Sequence, residues 1–176
     1  IDGIIVSPID QTALEPSVAA AIEAGIPVIS GNQLVEGSQA FVTVPEYDYG
    51  FAIGEEAGKW IKENLDGKAK VAIFDYPELE SIIDRGNGIE EGILSVAPDA
   101  EIVARQSANS TEKGMANMEN ILQANPDVEV VACVNDAGAL GAYEAMMAAG
   151  KESDRVFIGG LDAISEALNK INEGGI

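Results

Sequence analysis

The chain has 176 residues, a formal net charge of −20, no histidine and a single cysteine, which allows one large domain or two small lobes with ample apolar residues for a core. Acidity on this scale excludes a nucleic-acid backbone as partner, because phosphate contacts need clustered Lys and Arg, and it suits neutral or cationic ligands. The composition also excludes an intrachain disulfide, a Cys-rich zinc site, His metal ligands and Ser-His or Cys-His catalytic pairs, and no apolar window reaches the roughly 18 residues of a membrane span.

The chain opens on the apolar run Ile1 to Ser7, which ends at Pro8-Ile9-Asp10. No basic leader or cleavage site precedes it, the pattern expected of a piece of a longer chain. Residues Thr12 to Gly25 read as a helix stopped by glycine, and Ile26 to Ser30 as a strand leading to Gly31-Asn32-Gln33. The short run Ala40 to Val44 meets Pro45, whose missing N–H predicts a turn or crossing segment in place of a central strand. A lobe boundary is expected there, dividing the chain into 1–45 and 46–176.

From Glu46 to Asn64, Phe51, Ile53, Ala57, Trp60 and Ile61 recur at helical spacing. Strand Ala69 to Phe74 exits at Asp75-Tyr76, and a helix beginning near Leu79 runs through Arg85 to Ala97-Pro98. Strand Glu101 to Gln106 leads to Ser107-Ala108-Asn109-Ser110, with Ser110 or Thr111 capping a helix to Ala124. The buried strand Val128 to Val134 stops at Asn135-Asp136 before an Ala-rich helix, Ala137 to Ala149. Cys133 lies inside this strand as a small hydrophobe. A last strand, Val156 to Gly159, ends at Gly160-Leu161-Asp162, and a helix follows from Ser165 to about Asn172. Six strands alternating with five helices predict repeated βα units, right-handed crossovers and parallel sheets, an α/β fold.

Almost every strand exits into amide, hydroxyl or carboxylate groups. In open parallel sheets ligands bind beyond the carboxyl ends of the strands, and such groups suit a hydroxyl-dense ligand, a sugar or polyol. Turn and cap chemistry favours the same residues, so each alone has a plain alternative. Asp136 reads as either ligand residue or helix cap, and Asn135 is less easily explained as a cap. Arg85 reads as either a cleft donor or a surface partner of Asp84 or Glu90. Asp136 and Asp162 could face one cleft as paired acids, but nothing marks them as perturbed, and no metal-loop spacing or phosphate loop is present.

The segments DGIIVSPID, AGIPVISGN, DRGNGIEEGI, NPDVEVVACVNDAGALGAYEAMMAAGK and VFIGGLDA resemble the type I periplasmic sugar-binding proteins of ABC importers, the ribose-binding-like family. The resemblance covers the chain nearly end to end. It implies Rossmann-like lobes with parallel sheets, a nearly complete second lobe and a partial first, and a sugar or polyol clamped between them. It further implies no cofactor, no catalysis, a closed form that docks on the membrane subunits of an ABC permease, and a periplasmic or extracellular lipid-anchored location. Carried over by position, Asn135 and Asp162 are expected to bond sugar hydroxyls, with Asp136 capping the helix, and Arg85 to lie at the sugar ring. The first lobe contributes Asp10, while the family's Asp-Arg pair is replaced by Asn32-Gln33, which leaves the sugar's identity open. Ser110 stands where an aromatic often stacks, and Leu161 where Phe precedes the Asp; Tyr47 or Tyr76 is expected to compensate. With much of the first lobe outside this chain, weak binding is expected of it. The alternative is the effector-binding core of a LacI-type transcription regulator, which shares the fold: a helix-turn-helix upstream would decide for it, a signal peptide or lipobox Cys for import.

Overall fold

The computed structural model describes every residue from Ile1 to Ile176. Its elements are β1 (Ile4–Val6), α1 (Glu15–Glu23), β2 (Val28–Gly31), β3 (Ala40–Val42), α2 (Glu46–Asn64), β4 (Lys70–Asp75), α3 (Glu80–Val96), β5 (Glu101–Ser107), α4 (Thr111–Ala124), β6 (Val128–Cys133), α5 (Asp136–Ala148), β7 (Phe157–Gly159) and α6 (Ser165–Asn172). They form two wholly parallel sheets, ordered β1-β2-β3 and β5-β4-β6-β7.

Two expectations need correction. The run before Pro45 is a strand, β3, which pairs with β2 from Ala40 to Val42. It is an edge strand that ends before the proline, so the missing N–H removes no ladder bond. The helix expected from Thr12 begins instead as a 3₁₀ turn, Thr12–Leu14, and becomes α-helical only at Glu15. Pro16 explains the offset: it lacks the N–H an interior position would use and belongs in a first turn.

The larger sheet is covered on both faces, so its central strands carry continuous apolar runs, Val71 to Phe74 and Val130 to Cys133, instead of alternating. In β4, Val71 and Ile73 pack under α2 and α3 with Ile61, Ile89 and Ile93. Their neighbours Ala72 and Phe74 point the other way, against Met118, Ala142 and Met146 of α4 and α5. The smaller sheet is covered on one face only, by Val18 and Val35 packing on Val28. On its other face Ile5 is 82% exposed and Val42 64% exposed. The chain passes from this sheet to α2 at Pro45.

Helices α2 and α3 approach until backbone meets backbone. A Cβ at Gly50 would overlap the Arg85 carbonyl, and one at Gly54 the Ile89 carbonyl. In the opposite direction, a Cβ at Gly88 would overlap the Tyr47 carbonyl, and one at Gly92 the Phe51 carbonyl. This contact sets how closely the start of α2 lies beside Arg85. Gly54→Ala therefore sets about 1 kcal/mol of gained helix propensity against an overpacking penalty of about 1–3 kcal/mol or more. Because the obstacle is backbone, the penalty wins: urea denaturation is expected to show a net loss of about 2 kcal/mol.

Candidate functional site

Between the two sheets lies a cleft of about 450 Å³. The β1 and β2 exits supply Ser7, Asn32 and Gln33, the first turn of α2 supplies Glu46 and Tyr49, and α3 and the β7–α6 loop supply Arg85 and Asp162. Arg85 is the centre of it. The residue is only 8% exposed, and its guanidinium is held on three sides. Nε donates to Oε2 of Glu46 at 2.7 Å, with Nη2 in ion-pair contact with the same oxygen at 2.6 Å, and Nη1 donates to the carbonyl of Val134 at the tip of β6, at 2.7 Å. The Tyr49 ring lies 5.1 Å from the guanidinium carbon, a cation–π distance. A guanidinium carries five N–H donors, so one hydrogen on Nη1 and one on Nη2 remain after these contacts.

Asp162 is the next charge, with Oδ1 3.9 Å from Nη1 of Arg85. Its backbone is strained: Asp162 has φ 128° and Ala163 has φ 58°, both in the region that L side chains avoid. The loop is held by Asp136, whose Oδ2 accepts from the N–H of Ile164 at 2.9 Å. Partial burial pushes the Asp162 carboxyl above its ordinary value; the Arg85 charge opposes this, while the charges of Asp136 and Glu46 reinforce it. No cluster of His, Cys, Asp or Glu is placed to hold a metal ion. No helix is long and apolar enough to cross a membrane.

The "periplasmic binding protein domain" family matches residues 1–176, the whole chain. The chain belongs to that family. Among curated relatives it is 32% identical over 177 residues to a xylitol-binding protein of Mycolicibacterium smegmatis, covering 99% of this chain and 49% of the relative. It is 31% identical to the ribose import binding protein of Bacillus subtilis, covering 98% of this chain and 55% of the relative. Among solved structures, a solute-binding protein of Actinobacillus succinogenes with bound D-allose superposes with a TM-score of 0.90 at 31% identity, over 100% of this chain and 63% of that one. One from Bacillus halodurans with bound myo-inositol gives 0.86 at 33%, over 100% and 61%. The chain thus spans about half the length of these curated relatives, and its α/β fold with parallel sheets is the type I periplasmic-binding-protein fold, with partial lobes.

Within this periplasmic-binding-protein fold the expected site residues fall into two groups. Arg85, Asp162, Asn32 and Gln33 line the cleft. Asn32 is left-handed at φ 61°, a conformation Asn tolerates, and donates from Nδ2 to Ser7 Oγ. Gln33 is buried, and its Nε2 donates to the carbonyls of Pro8 and Ile9. Its amide hydrogens therefore tie the β1 and β2 exits together. The salt-bridge partner of Arg85 is Glu46, neither Asp84 nor Glu90; Glu90 pairs with Arg105, which also holds the buried Asp75.

The others lie outside the cleft lining. The helix cap expected at Asp136 is Asn135 instead. Asn135 is the cap of α5, its Oδ1 accepting from the N–H of Gly138 at 2.7 Å while Nδ2 donates to the Ala108 carbonyl; Asp136 is the loop clamp. Asp10 caps the 3₁₀ turn, its Oδ1 accepting from the N–H groups of Thr12 and Ala13 and from the Thr12 hydroxyl. These bonds, the hydroxyl's foremost, hold its carboxyl below the ordinary range. Ser110 caps α4, as expected, its Oγ accepting from the N–H of Lys113. Tyr47 turns away, its hydroxyl donating to Glu91 and its ring beside Phe51, and Tyr76 packs on the core under α2 and α3. The aromatic in the cleft is Tyr49. It and Glu46 were missed, although their spacing of three residues puts them on one helix face.

Two measurements check these assignments. Asn135→Ala removes the α5 cap and leaves the Ala108 carbonyl without its donor, so denaturation is expected to show a loss of about 1–2 kcal/mol. Asp162→Asn acts in the opposite direction. A carboxyl whose folded pKa is raised destabilises the fold where it is ionised, and the effect disappears as pH falls through that pKa. The variant is expected to raise Tm at neutral pH, modestly because the side chain is 45% exposed, and to match the wild type below the ordinary carboxylate pKa.

Proposed function

We propose that this chain is part of a solute-binding component of an ABC importer, holding a sugar or sugar-like polyol in the cleft between lobes 1–45 and 46–176. The observation that carries the reading is the buried Arg85. Its guanidinium is fixed by Glu46 and the Val134 carbonyl, keeps donors unspent, and lies beside Asp162 in the cleft that Asn32 also lines. A fixed donor fork beside a carboxylate and an amide matches adjacent hydroxyls, each of which both donates and accepts. The relatives named above are binding proteins for xylitol and ribose, and the neighbours hold D-allose and myo-inositol, which supports import over transcriptional regulation.

The mechanism proposed is closure without chemistry. A ligand bonded at once to Asn32 on one side and to Arg85 and Asp162 on the other binds the closed arrangement better than the open one and shifts the population toward it. The closed form would be what membrane permease subunits recognise, with the protein acting in the periplasm or lipid-anchored outside the cell. Asn135 and Asp136 then serve the site indirectly, by holding the α5 start and the Asp162 loop.

The test is a ¹H–¹⁵N NMR titration of this chain with D-ribose, D-allose, xylitol and myo-inositol. At least one is expected to give saturable shifts centred on Asn32, Arg85 and Asp162, and Arg85→Lys is expected to weaken that binding by about tenfold or more, since a point charge cannot replace the fork. Absence of saturable shifts at the cleft with all four would overturn the reading.

A further inference from the structure

Glu46 has a second consequence. Its Oε2 takes the Nε hydrogen bond and the Nη2 ion-pair contact of Arg85, whereas its Oε1 makes no hydrogen bond within the protein, and Glu46 lines the cleft. Arg85 is the only cation lining that cleft, and Glu46 and Asp162 are its two carboxylates. The triad therefore carries one net negative charge. The adjoining cavity, of about 680 Å³, is lined by Asp10, Glu15, Glu36, Glu78 and Glu80 and by no Lys or Arg, and of these carboxylates only Glu78 has a cationic partner, Lys113. Arg85 already faces two carboxylates, Glu46 in contact and Asp162 at 3.9 Å, so its single positive charge cannot offset a third, although its unspent N–H groups can still donate to a neutral hydroxyl.

We infer that Glu46 makes this cleft a charge filter, admitting neutral or ammonium-bearing polyols and rejecting the corresponding sugar acids. The filter rests on the polyol-binding reading above and gives it a narrower substrate class. An incoming carboxylate would meet Oε1 of Glu46 and the carboxylate of Asp162, and like charges placed together in a partly dry site are strongly unfavourable. An ammonium group would find both oxygens as acceptors. A neutral hydroxyl would donate to either. Glu46 thus acts both as the positioning residue of Arg85 and as a residue that sets specificity.

The experiment compares matched ligands that differ at one carbon, xylitol against xylonate and D-ribose against D-ribonate, by the same NMR titration at neutral pH. Wild type is expected to bind the acid on the order of 100-fold more weakly than the neutral partner. Glu46→Gln keeps an oxygen acceptor for Arg85 while removing the charge. It is expected to narrow that preference by about tenfold or more, and the double variant with Asp162→Asn to narrow it further. A gain in acid binding cannot arise from a merely damaged fold. Equal wild-type affinity for xylitol and xylonate, or an unchanged preference in a folded Glu46→Gln, would overturn the filter; should that variant fail to fold, the wild-type comparison decides. If neither neutral ligand binds at the cleft while D-allose or myo-inositol does, the comparison moves to D-allose against D-allonate. If none of the four neutral polyols binds, the polyol reading fails, and the filter with it.

Discussion

The arrangement around the cleft depends on one buried ion pair. Arg85 lies on α3, Glu46 opens α2, and Val134 ends β6, so a single guanidinium fastens two helices and a strand tip at the place where the chain leaves its first sheet. Burying two charges carries a desolvation penalty that only close, well-aligned hydrogen bonds offset, and removing one partner from such a pair costs about 3–5 kcal/mol. The geometry that makes the pair possible comes from glycine. Because Gly50 has no side chain, the α2 backbone can rest on the Arg85 carbonyl, which brings the Glu46 carboxylate within reach one turn earlier.

The strand tips show how polar residues in this fold divide their work. Asn135, Ser110 and Asp10 each spend an oxygen on unpaired N–H groups where a helix begins. Asp75 is neutralised by Arg105, and Gln33 ties two loops together. A polar strand tip is thus first a solution to the problem of ending a strand and starting a helix. Groups left over from that task, among them the remaining hydrogens of Arg85 and the carboxylate of Asp162, are the ones free to meet a ligand.

The βα order and the parallel pairing were legible in the chain because Val71 to Phe74 and Val130 to Val134 are apolar at every position and are followed by long helical patterns. The strand β3 was not, because Pro45 signals a break without saying on which side of it pairing stops. The α5 cap falls on Asn135 and not on Asp136 for a local reason. Both are good caps, they are adjacent, and the choice depends on which backbone adopts the extended conformation, here Asn135 at φ −151°. Tyr47 and Tyr49 differ by two residues and so face different sides of α2, a distinction invisible until the helix's rotation is known. Glu46 escaped notice because its partner is 39 positions away in sequence, and no local pattern reports such a pair.

Asp162 presents the opposite balance from Arg85. Its backbone and that of Ala163 are strained, and its carboxyl is pushed toward the protonated form, so both features act against stability. Asp136 compensates by holding the Ile164 N–H from a buried position. Strain of this kind persists only where the surroundings over-determine it. On the proposed reading it has a purpose: the strained loop holds the half-exposed Asp162 carboxylate beside Arg85 at the cleft. A ligand hydroxyl arriving there would displace water from a carboxylate already held in position, so the ordering is met in folding and not at binding, which is how a local loss of stability becomes affinity for a polyol.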